Sequence, residues 1–354
     1  MISTVIAYVS RGYKELRGEI FVLPSRTVVV IFCLMLFLVP VITGNPHYLS
    51  ILTLTCIFAI FAASWDLLSG FTGQMNFGHA AFFGVAAYTA ALLNVYIGLP
   101  PWLTIPIGAI AAVLVSLILG VPCLRLRGIY LAFGTLAFPL IIKDVIPAIP
   151  GAGGTLGVQG IKAIVPISSS PVIEYYIAAA LVVVLGFIMW KITDSKTGLI
   201  FHAIREDEVT VRASGINTTR YKLLAFCLSG FFAGIAGGLY VHLIGVASPD
   251  AVFTLTLSFQ AIIWAVFGGI ATIYGAIAGV FILYSLYSLP EYLSFSISEL
   301  RMLLVAVIVL LVLFFMPEGL ITWIRDKTEK TCPRCKLQNV AWRKTCRVCR
   351  VELD

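Results

Sequence analysis

The sequence is short of charge. Only 12% of its 354 residues are Asp, Glu, Lys or Arg, whereas 60% are hydrophobic, and an ordinary soluble domain has roughly a quarter charged residues. This composition excludes a soluble globular enzyme. The apolar residues also lack the polar–apolar alternation of an outer-membrane barrel and run in continuous blocks. The sequence therefore predicts an all-α polytopic integral membrane protein.

Two stretches, 67–124 and 251–290, contain no charged residue. Each is too long for one crossing, since about 20 residues span the hydrocarbon core. The crossings must be helices because backbone amides in lipid can bond only within the protein. Gly, Pro and Asn then divide the chain into about ten predicted transmembrane helices. The predicted spans are 27–43, 48–69, 77–98, 101–122, 129–147, 173–193, 221–244, 255–272, 275–293 and 299–316.

The basic residues predict the orientation. With ten spans, twenty of the 24 Lys and Arg residues fall on the side that carries both termini. We therefore expect a plasma-membrane protein whose two termini lie in the cytoplasm, as the positive-inside rule predicts. We expect 1–26 to be a cytoplasmic or interfacial segment, 27–325 the transmembrane domain and 326–354 a cytoplasmic tail. No small-residue cleavage site follows the first apolar run, which predicts an uncleaved first helix.

The segment 194–220 is the only well-charged internal connection. Its apolar residues, Ile200, Ile204, Val209 and Val211, indicate a short helix, and Gly215 indicates a tight turn before the chain re-enters the membrane. Two interpretations remain open. The segment is either a solvated connector or a docking helix for a cytoplasmic partner, whose motion it would pass to the two spans that it joins.

A glycine-rich, polar stretch interrupts the first charge-free block. Glycine is about 1 kcal/mol worse than alanine in a helix, and buried polar side chains need partners. Broken backbone belongs where protein or water covers it. We therefore predict that this stretch lies at the translocation path or its cytoplasmic gate; the alternative is close helix packing by small residues. The predicted gate residues are Gly73, Gln74, Asn76, Gly78 and His79.

The eight cysteines fall into two sets. Cys33, Cys56, Cys123 and Cys227 are scattered in apolar segments and are expected to be packing residues. The other four form two Cys-x-x-Cys pairs, Cys332–Cys335 and Cys346–Cys349. This spacing predicts a closed structural Zn²⁺ site in a zinc-ribbon-like tail, because four thiolates suit tetrahedral zinc and disulfides are disfavoured in the cytosol. A redox dithiol is the alternative. Basic residues around the pairs leave RNA, protein or anionic lipid open as a ligand.

Several blocks of the sequence carry a family resemblance. They are LSGFTGQMNFGHAAFFG at 68–84, RLRGIYLA at 125–132, GGTLG at 153–157, LIFHAIREDE at 199–208, ASGIN at 213–217, YKLLAF at 221–226, SPDA at 248–251 and FMPEGL at 315–320. Collinear from about residue 45 to 325, they resemble the branched-chain amino acid permeases of ATP-binding-cassette (ABC) importers, and most of all the LivM-type subunit. Asp66, where an amide is usual, and the four-cysteine tail depart from the family pattern.

The resemblance implies a transport subunit, and not an enzyme. It implies the ABC importer permease fold, alternating access and uptake of Leu, Ile or Val. The implied partners are a second homologous permease, two cytoplasmic ATP-binding subunits, an extracytoplasmic solute-binding protein and membrane lipids. The chain has no Walker motif of its own, so ATP hydrolysis is expected on the partner subunits.

The resemblance also implies two contact surfaces. The 194–220 segment becomes an ATPase coupling loop, whose expected coupling residues are Ala203, Arg205, Glu206, Asp207, Glu208, Ala213 and Gly215. The glycine-rich external loop becomes a docking surface for the binding protein, although a flexible connector would have the same composition. The expected docking residues are Gly153, Gly154, Thr155 and Gly157.

Other functions remain as alternatives. Urea and amide importers use similar permeases. An ion-coupled secondary transporter would need buried ionisable groups in inverted repeats, and few candidates are present. A zinc-dependent membrane enzyme would need an open metal position, whereas four cysteines fill the coordination sphere. Asp66 is itself either a functional intramembrane group or a residue that caps its helix or reaches the interface.

Overall fold

The computed structural model describes residues 32, 35–40, 45–124, 126, 128–164, 171–288, 298–316, 318–331, 338–340 and 352. Their backbone is mostly helical, as predicted. The helices are α1 Pro46–Trp65, α2 Ala80–Leu92, α3 Pro101–Cys123, α4 Ile129–Val145, α5 Pro171–Thr193, α6 Lys196–Glu206, α7 Glu208–Ala213, α8 Thr218–Ile244, α9 Pro249–Val252, α10 Leu255–Gly268, α11 Ile273–Ser288, α12 Ser298–Phe315 and α13 Leu320–Thr328. The strands are β1 Val158–Gln159, β2 Val246–Ala247, β3 Glu329–Thr331 and β4 Gln338–Val340.

Among the described residues, seven helical segments are long and apolar enough to cross a membrane. They are Pro46–Gly70, Ala80–Ile97, Pro101–Cys123, Ile129–Ala148, Pro171–Thr193, Thr218–Ile244 and Pro249–Gly268, and they correspond to the second through eighth predicted spans. The predicted ninth span overlaps a shorter apolar helix, Ile273–Ser288, and the predicted tenth overlaps α12. Most of the predicted first span lies outside the described residues. The coarser expectation of a polytopic helical protein is confirmed, and ten remains a prediction.

The chain divides into two compact units, Thr43–Gly319 and a second one formed by Met1–Ile42 with Leu320–Asp354. In the larger unit, α8 packs against α1, α2 and α3, and α1 also packs against α5 and α11. Small residues make these approaches possible. A methyl group added at Gly237 of α8 would collide with the Phe83 carbonyl oxygen, and one at Gly108 would lie 2.7 Å from the Ala86 carbonyl oxygen. Such contacts stabilise helix pairs in lipid through close backbone packing.

Helix α8 separates two ends of the larger unit. Its 27 residues rise about 40 Å, from the 194–217 connection to β2. We call the end that carries α6 and α7 the loop end, and the other the opposite end. At the opposite end, β1 and β2 pair antiparallel, with Val158 opposite Ala247 and Gln159 opposite Val246.

In the second unit, α13 is followed by a β-hairpin. Strand β3 pairs antiparallel with β4, and the register places Thr331 opposite Gln338. On α13, the Lys327 ammonium lies 3.8 Å from the centre of the Trp323 ring, a cation–π contact between residues on adjacent turns. The four predicted zinc ligands, Cys332, Cys335, Cys346 and Cys349, lie outside the described residues.

Candidate functional site

The predicted gate residues occupy a break between two helices. Helix α1 ends in a π-helical turn, Asp66–Gly70, and α2 begins at Ala80. Gly73 has a φ of +69°, a conformation that costs other residues roughly 1–2 kcal/mol. Gly78 is required for a different reason, because a methyl group there would collide with the Thr135 carbonyl oxygen of α4. The break is thus built by glycine, as the sequence predicts.

Polar side chains in the break are buried and bonded inside the chain. The Asn76 Oδ1 atom accepts a hydrogen bond of 2.9 Å from Gly78 N, and His79 Nε2 lies 2.8 Å from the hydroxyl oxygen of Ser64. The Trp65 indole donates a 2.7 Å bond to the Asn76 carbonyl oxygen. Gln74 is also buried. The hydrogen bonds of Trp65, Asn76 and His79 satisfy polar groups whose burial without a partner would cost a few kcal/mol each.

The structure also contains a cavity away from this break. It has a volume of about 490 Å³ and lies between α2 and the 146–152 segment; its lining includes Tyr88, Thr89, Tyr96, Ile149 and Gly151. None of the predicted gate residues lines it. The gate prediction therefore concerns the helix break, and not this cavity.

The coupling loop and the helix break, predicted separately, are in contact. An Arg205 guanidinium nitrogen, Nη1, donates a 2.7 Å hydrogen bond to the Gly70 carbonyl oxygen at the end of the π-turn. The arginine stem lies beside Gly73, which is itself exposed; a methyl group on Gly73 would lie 3.3 Å from the Arg205 Cγ atom. Beside it, the rings of His202 and Phe71 meet edge to face with centroids 4.9 Å apart. Helix α6 is thereby in direct contact with the break.

The loop consists of two capped helices where one was predicted. The Ser195 side chain caps α6, and Asp207 caps α7 by accepting bonds of 2.8 Å from Val209 N and 3.2 Å from Thr210 N. Hydrogen bonds from Thr210, first from its side chain, hold the pKa of the Asp207 carboxyl below its ordinary value. Ser214 and Gly215, with φ of +83°, form the predicted turn, and α8 begins at Thr218.

The apolar pattern of the loop is only partly as predicted. Ile204 and Val211 are buried, but Val209 is 72% exposed, and Phe201, which was not in the predicted set, is fully buried. The reason is the break at Asp207, whose extended backbone ends α6 and begins α7, so one helical spacing does not continue through it. The predicted coupling residues Ala203, Arg205, Glu206, Asp207, Ala213 and Gly215 are exposed.

Glu208 differs from the other predicted coupling residues because it binds within the chain. Its carboxylate oxygens lie 2.6 Å from the Lys222 ammonium and 2.7 Å from the Arg212 guanidinium, and Oε1 also accepts a 3.1 Å bond from Thr218. Partial burial raises the pKa of Glu208, but the hydrogen bond and charge of Lys222, with Thr218 and Arg212, outweigh it and leave the pKa below 4.5. Glu208 therefore joins α7 to the start of α8.

At the opposite end, the predicted docking loop is tightly folded. A methyl group at Gly153 would collide with the Gly157 carbonyl oxygen, and one at Gly157 with the Ala247 carbonyl oxygen of β2. Gly154 also has a positive φ but faces open space, and Thr155 is exposed. The glycines at 153 and 157 thus bring the chain onto β2, while 154–156 remain accessible.

One buried contact was not predicted. Asp66 is fully buried, and its Oδ1 atom accepts a 2.8 Å hydrogen bond from the backbone N–H of Ala271, 205 residues further along the chain. It therefore does not reach the interface. The sequence marked Asp66 as unusual but contained no sign of Ala271, since a backbone N–H carries no residue-specific signal.

Metal binding has no counterpart in the part of the chain that the structure describes, where no group of three or more His, Cys, Asp and Glu side chains could hold an ion. The strands β3 and β4 flank 332–337 in sequence, which contains Cys332 and Cys335. Their register pairs Thr331 with Gln338, the two described residues that flank this segment in sequence. The zinc site remains a prediction.

Comparison with known proteins supports the transport resemblance. Residues 47–313 match the family model described as the permease component of branched-chain amino acid transport systems. The high-affinity branched-chain amino acid transport system permease protein LivM of Escherichia coli strain K12 is 30% identical over 94% of this chain and 83% of that protein. LivM of Salmonella typhimurium is also 30% identical, over 90% of this chain and 82% of the relative.

A more distant relative is the guanosine ABC transporter permease protein NupQ of Bacillus subtilis. It is 24% identical over 53% of this chain and 64% of its own length. No solved structure matches the chain. The family match covers three quarters of the sequence and includes both the helix break and the coupling loop. This chain therefore belongs to the family of permease components of branched-chain amino acid transport systems.

Proposed function

We propose that this permease subunit imports Leu, Ile or Val across the plasma membrane by alternating access, driven by ATP hydrolysis on partner subunits. Membership of the family makes it a transport subunit of an ABC importer and not an enzyme. The proposed partners are a second homologous permease, two cytoplasmic ATP-binding subunits and an extracytoplasmic solute-binding protein. Both termini and the loop end would face the cytoplasm, where the basic residues concentrate.

The observation that carries the proposal is the contact between α6 and the helix break. Arg205 bonds the Gly70 carbonyl oxygen and its stem lies beside Gly73, so a force on the exposed face of α6 would act on the end of α1. An ATPase docked on that face would pass its closure to the break. Gly73, Gln74, Asn76, Gly78 and His79 would then form the cytoplasmic gate, and the 153–157 loop would receive the binding protein.

Glu206 is the residue with which docking can be tested. Glu206 is exposed, whereas Glu208 is bound to Lys222 and Arg212. We expect Glu206→Lys to weaken co-purification of the ATP-binding subunits and to lower leucine uptake about tenfold in proteoliposomes, because a reversed rim charge costs roughly 1–2 kcal/mol at a complementary interface. Glu206→Gln, as the control, should cost less.

The same assay decides the solute. ATP-dependent uptake of leucine by the complex, with its binding protein, is the expected result. Uptake of urea or a short amide but not leucine would change the proposed solute, but the protein would still act as a subunit of an ATP-driven importer. Uptake that needs an ion gradient and no ATP would overturn the proposal in favour of secondary transport.

We propose separately that the tail binds one structural Zn²⁺ through Cys332, Cys335, Cys346 and Cys349. Two Cys-x-x-Cys pairs suit tetrahedral zinc, and the residues on either side of the first pair in sequence, Thr331 and Gln338, are paired in the β3–β4 sheet. The full chain, purified under reducing conditions, should contain one zinc ion by mass spectrometry. Cys332→Ser with Cys335→Ser should lose it, and Cys123→Ser with Cys227→Ser should not. Zinc-free wild-type protein would reject the site.

A further inference from the structure

Asp66, Gly70 and Ala271 form a three-part contact at the loop end of the larger unit. The Asp66 Oδ1 atom accepts the 2.8 Å bond from Ala271 N. A methyl group on Gly70 would collide with that same oxygen and lie 2.8 Å from Ala271 N. Only glycine at position 70 therefore leaves room for the bond between the carboxylate and the distant backbone.

Each partner in this contact belongs to irregular backbone. Asp66 and Gly70 begin and end the π-helical turn that closes α1. Ala271 lies between α10 and α11 and has a φ of +61°, the one positive value for a non-glycine residue among the described residues. Such a conformation costs roughly 1–3 kcal/mol and persists only where surrounding contacts hold it. The bond from Asp66 is a contact of that kind.

The Asp66 carboxylate is enclosed by protein, and one of its two oxygens makes this bond. Asp66 is fully buried, and within the part of the chain that the structure describes its second oxygen, Oδ2, has no hydrogen-bond partner. A buried, half-satisfied carboxylate inside a membrane segment is costly, which favours a functional reason for its presence. Its geometry connects α1 to the α10–α11 turn.

The coupling loop reaches the same contact from the other side. Arg205 of α6 donates its 2.7 Å bond to the carbonyl oxygen of Gly70, the residue against which the Asp66–Ala271 bond is packed. Two hydrogen bonds therefore connect three segments of the chain, namely helix α6, the end of α1, and the turn between α10 and α11.

We propose that Asp66 is a positioning residue for transport: it links the α10–α11 turn to the end of α1, so that movement of the coupling loop, delivered through Arg205, shifts both together. The proposal rests on the proposed function, because it needs an ATPase to move α6. Beyond that function, the proposal connects the docking surface on α6 to helices α10 and α11, which lie outside the 194–220 loop.

The test uses the complete importer in proteoliposomes and measures leucine uptake and ATP hydrolysis on the same sample. Asp66→Ala and Arg205→Met, which keeps the stem beside Gly73, should each lower the leucine moved per ATP about tenfold, within the range by which residues that connect two sites alter coupling. Asp66→Asn keeps an acceptor oxygen and should stay within about threefold of wild type. The double variant should be no worse than the single ones, since both changes interrupt one connection.

Thr104→Val is the matched control. It removes a buried 2.7 Å contact to His242 Nε2 that joins α3 and α8 at the opposite end, and it should leave leucine per ATP unchanged. An unchanged ratio in Arg205→Met, which changes an exposed residue, would overturn the proposal even if Asp66→Ala fails to assemble. An equal loss in Thr104→Val would also overturn it. Absence of ATP-dependent uptake in the wild-type complex would instead reject the proposed function, and the link with it.

Discussion

The loop end and the opposite end of the larger unit are joined by different contacts. At the loop end, charged side chains reach between segments: Arg205 bonds the end of α1, Asp66 bonds Ala271, and Glu208 pairs with Lys222. At the opposite end, the contacts are backbone pairing of β1 with β2, hydrogen bonds of the Asn94 and His242 side chains, and a surface ion pair between Lys143 and Asp250.

The difference concerns what each end can do. A strand pair backed by glycines that admit no methyl group has one geometry, which suits a surface that receives a partner. A few charge-assisted bonds between separate helices can break and form again, because each contributes only about 1.5–3 kcal/mol net. These contacts suit the proposed movement of the loop end, and substitutions at the two ends should therefore have different effects.

The largest expected effect is at the opposite end. Gly157→Ala forces a methyl group onto the Ala247 carbonyl oxygen at a φ of +76°, and conformational strain with overpacking should destabilise the protein by about 3 kcal/mol. Gly154→Ala, at a φ of +62° in open space, should cost only about 1 kcal/mol. Thermal unfolding of the purified chain in detergent measures both. Equal losses would show that this loop is a flexible connector.

A smaller effect is expected from the loop-end ion pair. Glu208→Gln weakens the bonds to Lys222 and Arg212 and should lower the free energy of unfolding by about 2 kcal/mol. The exposed Glu206→Gln should change it by less than about 0.5 kcal/mol. A Glu208→Gln variant as stable as Glu206→Gln would remove Glu208 from the contacts that hold α7 on α8.

The Glu208 contribution should also depend on pH. Because the folded-state pKa lies below 4.5, the unfolded chain binds a proton more readily than the folded one, and the contribution is complete above 4.5 and lost as pH falls through the folded pKa. The difference in unfolding temperature between wild type and Glu208→Gln should therefore shrink as the pH falls below the ordinary glutamate pKa of about 4.3. A constant difference would contradict the ion pair.

The helices of this protein can be predicted from its sequence better than the contacts between them. Long apolar runs gave the membrane helices because burial in lipid requires them, and the glycines at 73 and 78 marked the break. The loop was predicted as one helix because its apolar residues were counted through Asp207, which in fact ends α6 with its extended backbone and caps α7 with its side chain. Because the helix is interrupted there, the apolar spacing does not carry over to Val209, which is exposed.

Contacts between distant residues had no such signal. The Asp66–Ala271 bond joins residues 205 apart, and Glu208 meets Lys222 across the turn at Gly215. Charge alone does not choose among possible partners, and a backbone N–H is common to nearly every residue. The candidate site was therefore predicted as two separate segments, and their junction required the packing of α6 against the end of α1.

The smallest effect on stability is expected from two exposed apolar residues, one at each end. Val209 of α7 and Leu156 beside Gly157 are both 72% exposed, so Val209→Ser and Leu156→Ser should change the free energy of unfolding by less than about 0.5 kcal/mol. Their effects on partners should separate. Val209→Ser should weaken co-purification of the ATP-binding subunits about fivefold, and Leu156→Ser should weaken stimulation by the binding protein to a similar extent, since each loses roughly 1 kcal/mol of apolar contact. If each variant instead impairs both partners equally, the ends are not the distinct surfaces that their contacts indicate.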